Sequence, residues 1–156
     1  MLTVTVVIPA FNAVDTIETA IQSIRGQSHP EIDLIVVDDS STDGTADVVA
    51  ELARQDERVR LLRTGAEERD KRDPARVKAD AGWRARNVGL RAARGDFVTF
   101  QDADDFSLRN RIEIQLESAM SLSADVVACD WFWLEGTTYD HWLDYQRFLN
   151  AHVKAD

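Results

Sequence analysis

A single cysteine, Cys129, excludes a disulfide within the chain, so burial and hydrogen bonding must hold the fold. A reducing cytoplasm is the expected compartment, and the apolar context "DVVACDW" predicts that Cys129 is a small buried hydrophobe. Long apolar runs are also lacking. None approaches the length needed to span a bilayer, and the start, "MLTVTVVIPAF", has no charged leader and meets Pro9 where an apolar run would continue. No signal peptide or transmembrane segment is therefore expected. The expected location is cytoplasmic, or peripheral to the inner face of the membrane. Basic charge is scarce: 18 Lys and Arg stand against 28 Asp and Glu, a formal net charge of −10. Bulk electrostatics of that sign disfavour nucleic acid as a partner. A phosphate-bearing substrate would need a local device, either a metal ion or a few positioned arginines. No G-x-G-x-x-G follows the first apolar segment and no G-x-x-x-x-G-K-[ST] occurs, which argues against a dinucleotide or P-loop site. No internal repeat of useful length is present.

What is there is a soluble-protein composition, 44% hydrophobic and 29% charged, over 156 residues, enough for one domain with a core. Strand and helix signals alternate. "TVTVVIPA" (3–10) and "IDLIVVDD" (32–39) are nearly continuous apolar runs, the pattern of strands covered on both faces. Between them, Ile17, Ala20, Ile21 and Ile24 recur at spacings of three and four, with Asp15 able to cap and Gly26 to stop a helix. "TADVVAELARQ" is a second amphipathic helix through Val48, Val49 and Leu52, and "RVRLLR" a third strand. Residues 64–82 hold ten charged residues in nineteen without periodicity and read as a long mobile loop. "WRARNVGLRAARG" resumes as a helix and "DFVTFQD" as a fourth strand. "LRNRIEIQLESAM" carries Ile112, Leu116 and Met120 at helical spacing, and "ADVVACDWFWL" reads as a fifth strand. In the tail, Trp142, Tyr145 and Leu149 mark one side of a further helix. The expected fold is α/β: right-handed βαβ units, a mostly parallel sheet and helices on both faces.

Ligands of such sheets bind outside the carboxyl ends of the strands. Three predicted strands end distinctively at that edge: "PAFN" after the first, "DDSSTDGT" after the second and "QDADD" after the fourth. Asp43 suits a helix cap and Gly44 a turn, but capping does not account for Asp38 and Asp39 at the end of a buried strand. A carboxylate there can accept a hydrogen bond from a base N–H or a ribose hydroxyl. Asp105 reads as an N-cap for the helix beginning near Leu108. Asp102 and Asp104, two apart on extended chain, can converge on one cation or on a cation and a ribose. Mg²⁺ or Mn²⁺ suits such oxygen ligands and completes its shell with water and substrate phosphates.

Together, "VVIPAFNAVDTIETAIQSIRGQS", "IDLIVVDDSSTDGT" and "ARNVGLRAARGDFVTFQDADD" resemble the family 2 glycosyltransferases of the Rossmann-like GT-A fold, over about residues 3–116. The resemblance implies a metal-dependent, inverting enzyme that moves a sugar from a nucleotide-diphosphate donor, a UDP-sugar favoured, to a hydroxyl acceptor. It assigns the base to Pro9, Ala10, Phe11, Asn12 and Asp39, with Asp38 beside them. It assigns ribose, diphosphate and metal to Asp102, Ala103 and Asp104, with Asp104 the metal ligand, and it places Arg86 near the donor.

The chain departs from that pattern in places. Phe11 stands where a tyrosine is commoner, keeping a ring that can stack on a base. Arg69, Lys71, Arg72, Arg76 and Lys78 in the charged loop are candidates to close over a diphosphate. Family members continue beyond the Asp-x-Asp into an acceptor site and a general base. None of Asp130, Glu135, Asp140 and Asp144 matches that base, so none is assigned. Trp131 to Trp133 suit core, a sugar platform or a homodimer contact. The rival reading is a shortened, noncatalytic relative serving as a nucleotide-binding or interaction module.

Overall fold

The computed structural model describes residues 1–65 and 82–129. They divide into two compact units: residues 1–25 with 30–107, and residues 26–29 with those from 108 onward.

The first unit is built on four parallel strands, β1 (Val4–Ala10), β2 (Ile32–Asp38), β3 (Val59–Arg63) and β4 (Phe97–Phe100), in the order β3-β2-β1-β4. Helices α1 (Ile17–Arg25) and α2 (Thr45–Gln55) connect β1 to β2 and β2 to β3, and α3 (Trp83–Ala92) precedes β4. Stepping from β1 to β2 to β3 moves one way across the sheet, and the return to β4 moves the other way. Right-handed crossovers therefore put α1 and α2 on one face and α3 on the other.

The two faces follow from the period-2 alternation of side chains along a strand. Val7, Ile35 and Val37, all fully buried, pack with Ala85 of α3, flanked by Leu62, Val88, Ala92 and Val98. Val6, Ile8, Leu34 and Val36 alternate to the opposite face and are just as buried. The helical spacing in α1 is reproduced, with Ile17, Ala20, Ile21 and Ile24 inaccessible to solvent. Gly89 sets how closely α3 lies on β1: a Cβ there would sit 2.3 Å from Val7 Cγ1. Because α3 runs down the sheet after a strand that runs up it, its first turn stands at the carboxyl edge.

The second unit contains α4 (Arg111–Leu122) and a loop whose Gln27 side chain both donates to Leu108 O (2.8 Å) and accepts from Ile112 N–H (3.1 Å). Three expectations need correction here. Met120 is exposed and Ala119 takes the inward position, because the buried pair Ile112 and Ala119 lies seven residues apart, two full turns. The anticipated fifth strand is absent over residues 124–129, which are irregular. Cys129 is consequently exposed rather than buried, since no strand alternation turns it inward.

The charged side chains of residues 66–81, Trp131 to Trp133, the tail helix and the four acids of the tail lie outside the described residues. Among the described residues, no helix is long and apolar enough to cross a membrane.

Candidate functional site

The parallel register aligns the strand ends, so the segments following β1, β2 and β4 meet at one edge. At the end of β1, Ala10 O accepts the Asp39 N–H at 2.8 Å, carrying the pairing one residue past β2. Asn12 then turns with φ +47°, a left-handed conformation that asparagine tolerates better than most residues. Its Oδ1 accepts the Thr42 N–H at 2.8 Å, and its own N–H donates to Ser41 Oγ at 3.0 Å. Two more bonds stitch the same loops: Ala13 N–H to Thr45 Oγ1 (2.8 Å) and Val14 N–H to Asp43 Oδ2 (3.1 Å). Phe11, held between these anchored neighbours, leaves its side chain 48% exposed at the sheet edge.

The two acids ending β2 have different environments. Asp38 is buried, and its Oδ1 accepts the Ser41 N–H at 3.2 Å, folding the turn back. Asp39 is half-buried and receives the Thr64 hydroxyl at 2.6 Å. Thr64 is itself buried and fixed by its N–H to Asp38 O (3.1 Å). Asp43 serves the start of α2 as expected, accepting the Thr45 N–H at 3.0 Å and the Thr45 hydroxyl at 2.5 Å. These bonds, the hydroxyl's foremost, hold its carboxyl below the usual range.

The loop after β4 is pinned from beneath. Gln101 is buried, and its amide donates to Ala20 O (3.1 Å), Ser23 Oγ (3.2 Å) and Asp105 O (3.2 Å), while Ser107 donates its hydroxyl to Gln101 Oε1. Above this floor Ala103 is buried, and Asp102 and Asp104 flank it in the open. Contrary to the extended chain expected from the D-x-D spacing, Ala103 and Asp104 lie in a turn, and it is the turn that leaves the two acids exposed on either side of Ala103. Asp105 does not cap α4, which begins six residues later behind Asn110. Its N–H instead donates to Asp102 O at 3.2 Å. Crowding by surrounding protein, then the charges of Asp104 and Asp102, push the Asp105 carboxyl above its ordinary range.

Arg86, in the first turn of α3, forms an ion pair with Asp102 Oδ1. Its location is fixed by Gly82 just before the helix, at φ +70°. A Cβ at Gly82 would lie 3.1 Å from Arg86 Nη1 and 3.2 Å from Pro9 Cβ, so the guanidinium stands beside the end of β1.

Strands β2 and β4 flank β1, so the segments that carry Asp39 and Asp102 leave the sheet on either side of the segment that carries Phe11. Among the described residues, no group of three or more His, Cys, Asp or Glu is placed to hold a metal ion. The fit is with a cation held by two carboxylates, Asp102 and Asp104, its remaining positions left to water and phosphate oxygens, as Mg²⁺ prefers.

Sequence reasoning missed Thr64, Gln101, Ser107 and Ser23. Thr64 carried a usable signal, since it follows β3 at the same edge. The other three act from below, and no local pattern marks them.

The profile of Glycosyl transferase family 2 matches residues 5–72 and 76–154. A Bacillus subtilis protein bearing the name of a teichuronic acid biosynthesis glycosyltransferase, TuaG, is 38% identical over 120 residues, 77% of this chain and 43% of that protein. Escherichia coli WfgD, named a UDP-Glc:α-D-GlcNAc-diphosphoundecaprenol β-1,3-glucosyltransferase, is 34% identical over 113 residues, 72% of this chain and 39% of WfgD. The chain thus spans about two fifths of the length of these relatives. Staphylococcus aureus TarS 1–349 in complex with UDP superposes with a TM-score of 0.68 at 24% identity, over 88% of this chain and 38% of that one, and shares its fold. The mannosyltransferase PcManGT of Pyrobaculum calidifontis, in complex with GDP-Man and Mn²⁺, gives a TM-score of 0.56 at 29% identity, over 80% and 33% of the two chains. With the profile matched over nearly all of its residues, the chain belongs to glycosyl transferase family 2.

Proposed function

We propose that the carboxyl edge of the sheet binds a nucleotide-diphosphate sugar, a UDP-sugar in preference, together with Mg²⁺ or Mn²⁺. On this reading the chain provides the donor site of a glycosyltransferase acting on a hydroxyl acceptor with inversion. The observation that carries it is that the acidic segments after β2 and β4 leave the sheet on either side of the segment that carries the exposed Phe11. Such a row can take a base, a ribose and a diphosphate in sequence. Phe11 offers its exposed ring for stacking, alongside the backbone of Pro9, Ala10 and Asn12. Asp39, steadied by Thr64 and backed by Asp38, accepts from a base N–H. Asp102 and the backbone at Ala103 face the ribose, Asp104 and Asp102 hold the cation, and Arg86 stands near the diphosphate. When bound, the divalent ion neutralises charge that develops on the departing diphosphate. The UDP, UDP-GlcNAc and GDP-Man with Mn²⁺ of related structures support a nucleotide donor and a divalent ion. The diphosphoundecaprenol in the WfgD name supports an acceptor hydroxyl carried on a lipid, and with it a cytoplasmic position peripheral to the membrane. No described residue is assigned as the general base.

Isothermal titration with UDP, with and without Mn²⁺, tests this. A saturable heat that requires Mn²⁺ is expected. Folded protein that binds no nucleoside diphosphate with Mn²⁺ present would overturn the reading.

A further inference from the structure

We propose that Thr64 sets the base preference of the donor site: by occupying one oxygen of Asp39 it leaves a single acceptor facing outward, which suits the lone N–H on the pairing edge of uracil and not the two adjacent donors of guanine. This rests on the donor site proposed above and names the residue that makes it selective.

The fold by itself leaves the base open. Structures that share it hold UDP in one case and GDP-Man in another, so the choice falls to individual side chains. Asp39 is anchored through its N–H, which donates to Ala10 O at 2.8 Å. Its Oδ1 takes the Thr64 hydroxyl at 2.6 Å. A carboxylate only accepts, so the hydroxyl is the donor and its one hydrogen is committed. Thr64 cannot readily turn away. It is buried, and its own N–H donates to Asp38 O at 3.1 Å, directly after the register pair of Asp38 and Arg63. Among the described residues, no hydrogen bond reaches Asp39 Oδ2. One oxygen is thus claimed from within the protein, and the other is left for a ligand.

The bases differ in what they offer such a group. Uracil presents N3–H between two carbonyls, so a carboxylate with both oxygens outward would set the second against a carbonyl of like polarity. Guanine presents N1–H and an amino hydrogen side by side, a pair that engages both oxygens at once. Drawing Oδ1 toward Thr64 relieves uracil and leaves one guanine donor without its acceptor. An unpaired donor at a half-buried acid costs affinity.

A merely structural threonine would behave differently. If Thr64 only steadied Asp39, its loss would weaken both nucleotides alike, whereas a selective role changes their ratio. Isothermal titration of the full chain with UDP and with GDP, at saturating Mn²⁺, compares wild type, Thr64→Val and Thr64→Ser, each shown to be folded by circular dichroism. Wild type should favour UDP by about tenfold or more. Thr64→Val should bind UDP about threefold to tenfold more weakly and GDP no more weakly than wild type, so that the preference shrinks by at least that factor. Thr64→Ser, which keeps the hydroxyl, should restore the preference. Thr64→Ala makes the same deletion should the valine variant not fold. Equal weakening of both nucleotides by Thr64→Val would overturn the proposal, as would an unchanged preference or a wild type that favours GDP. So would the absence of GDP binding in all variants, which would make room rather than hydrogen bonding the selector. Wild type that binds neither nucleotide would overturn the donor-site reading itself.

Discussion

At the amino-terminal edge of the sheet, acids face arginines. Asp33 takes a two-pronged contact from Arg60, both bonds 2.8 Å, and Arg60 also reaches Ala92 O. Asp56 lies between Arg25 (2.9 Å) and Arg58 (2.8 Å). At the carboxyl edge of the same strands stand Asp38, Asp39, Asp102, Asp104 and Asp105. Of these, only Asp102 has an ion pair among the described residues, with Arg86. Among the described residues, one edge pairs its acids with arginines, and the other pairs only one of them. Both edges belong to one small sheet, so strand chemistry cannot explain the difference. The paired edge contributes stability; on the proposed reading, the other holds its charge for a ligand.

Breaking the paired edge should have the largest effect. Arg60→Met leaves Asp33, only 15% exposed, with the Thr5 hydroxyl at 3.1 Å as its remaining side-chain partner. Removing one member of a largely buried pair costs more than the pair contributes, because the other charge stays desolvated. Urea denaturation should show a loss of roughly 2–3 kcal/mol. UDP affinity, measured with Mn²⁺ below the transition, should not change. A loss of affinity at full folding would mean that the two edges are coupled.

The converse applies at the other edge. Asp104→Asn should remove the Mn²⁺-dependent part of UDP binding, a loss of at least about tenfold. Without metal its melting temperature should equal or slightly exceed that of wild type, since a like charge is removed from beside Asp105. Unchanged UDP affinity would show that the cation is held elsewhere. Thr64→Val tests the finer geometry. It keeps the shape of a buried side chain but withdraws the hydroxyl from Asp39. A threefold to tenfold weaker UDP affinity is expected, at about 1 kcal/mol for one hydrogen bond, with Mn²⁺ binding unaffected.

The same comparison shows what the sequence could and could not reveal. The strands were legible because a fully covered parallel strand is apolar almost throughout, and "VVIPA" and "LIVVD" allow few other readings. The acids of the carboxyl edge were legible because they interrupt those runs abruptly. The paired edge was not, since Asp33 with Arg60 and Asp56 with Arg25 are contacts made by topology across 27 and 31 residues. Asp102 was read as a ligand without its ion pair for the same reason. Arg86 reaches it from α3, a helix that lies close on β1 because Gly89 has no Cβ to meet Val7. The fifth strand failed differently. "ADVVAC" has strand composition, but its described residues 124–129 pair with no strand, and composition by itself creates none.

The smallest expected effect is also the most direct test of the contrast, because the two edges should respond to acid with opposite signs. Bonds from the Arg58 side chain, opposed by burial and aided by the Arg58 N–H and Arg25, hold the Asp56 carboxyl far below the ordinary range. A depressed folded-state pKa means stability that is fully present above the unfolded value, near 4, and is lost as pH falls toward the folded one. Asp105 is raised instead. Its ionised form burdens the folded state above the folded pKa, and the burden lifts as the pH falls through that pKa toward the unfolded one. Asp56→Asn should therefore destabilise at pH 7 and flatten the acid limb of a stability–pH curve below about pH 4. Asp105→Asn should stabilise slightly at pH 7, and the gain should fade on acidification. Thermal melts of both variants from pH 7 to pH 3 give the two slopes. Matching signs would mean that the carboxyl edge is as well compensated as the other, and that no cation is needed to complete it.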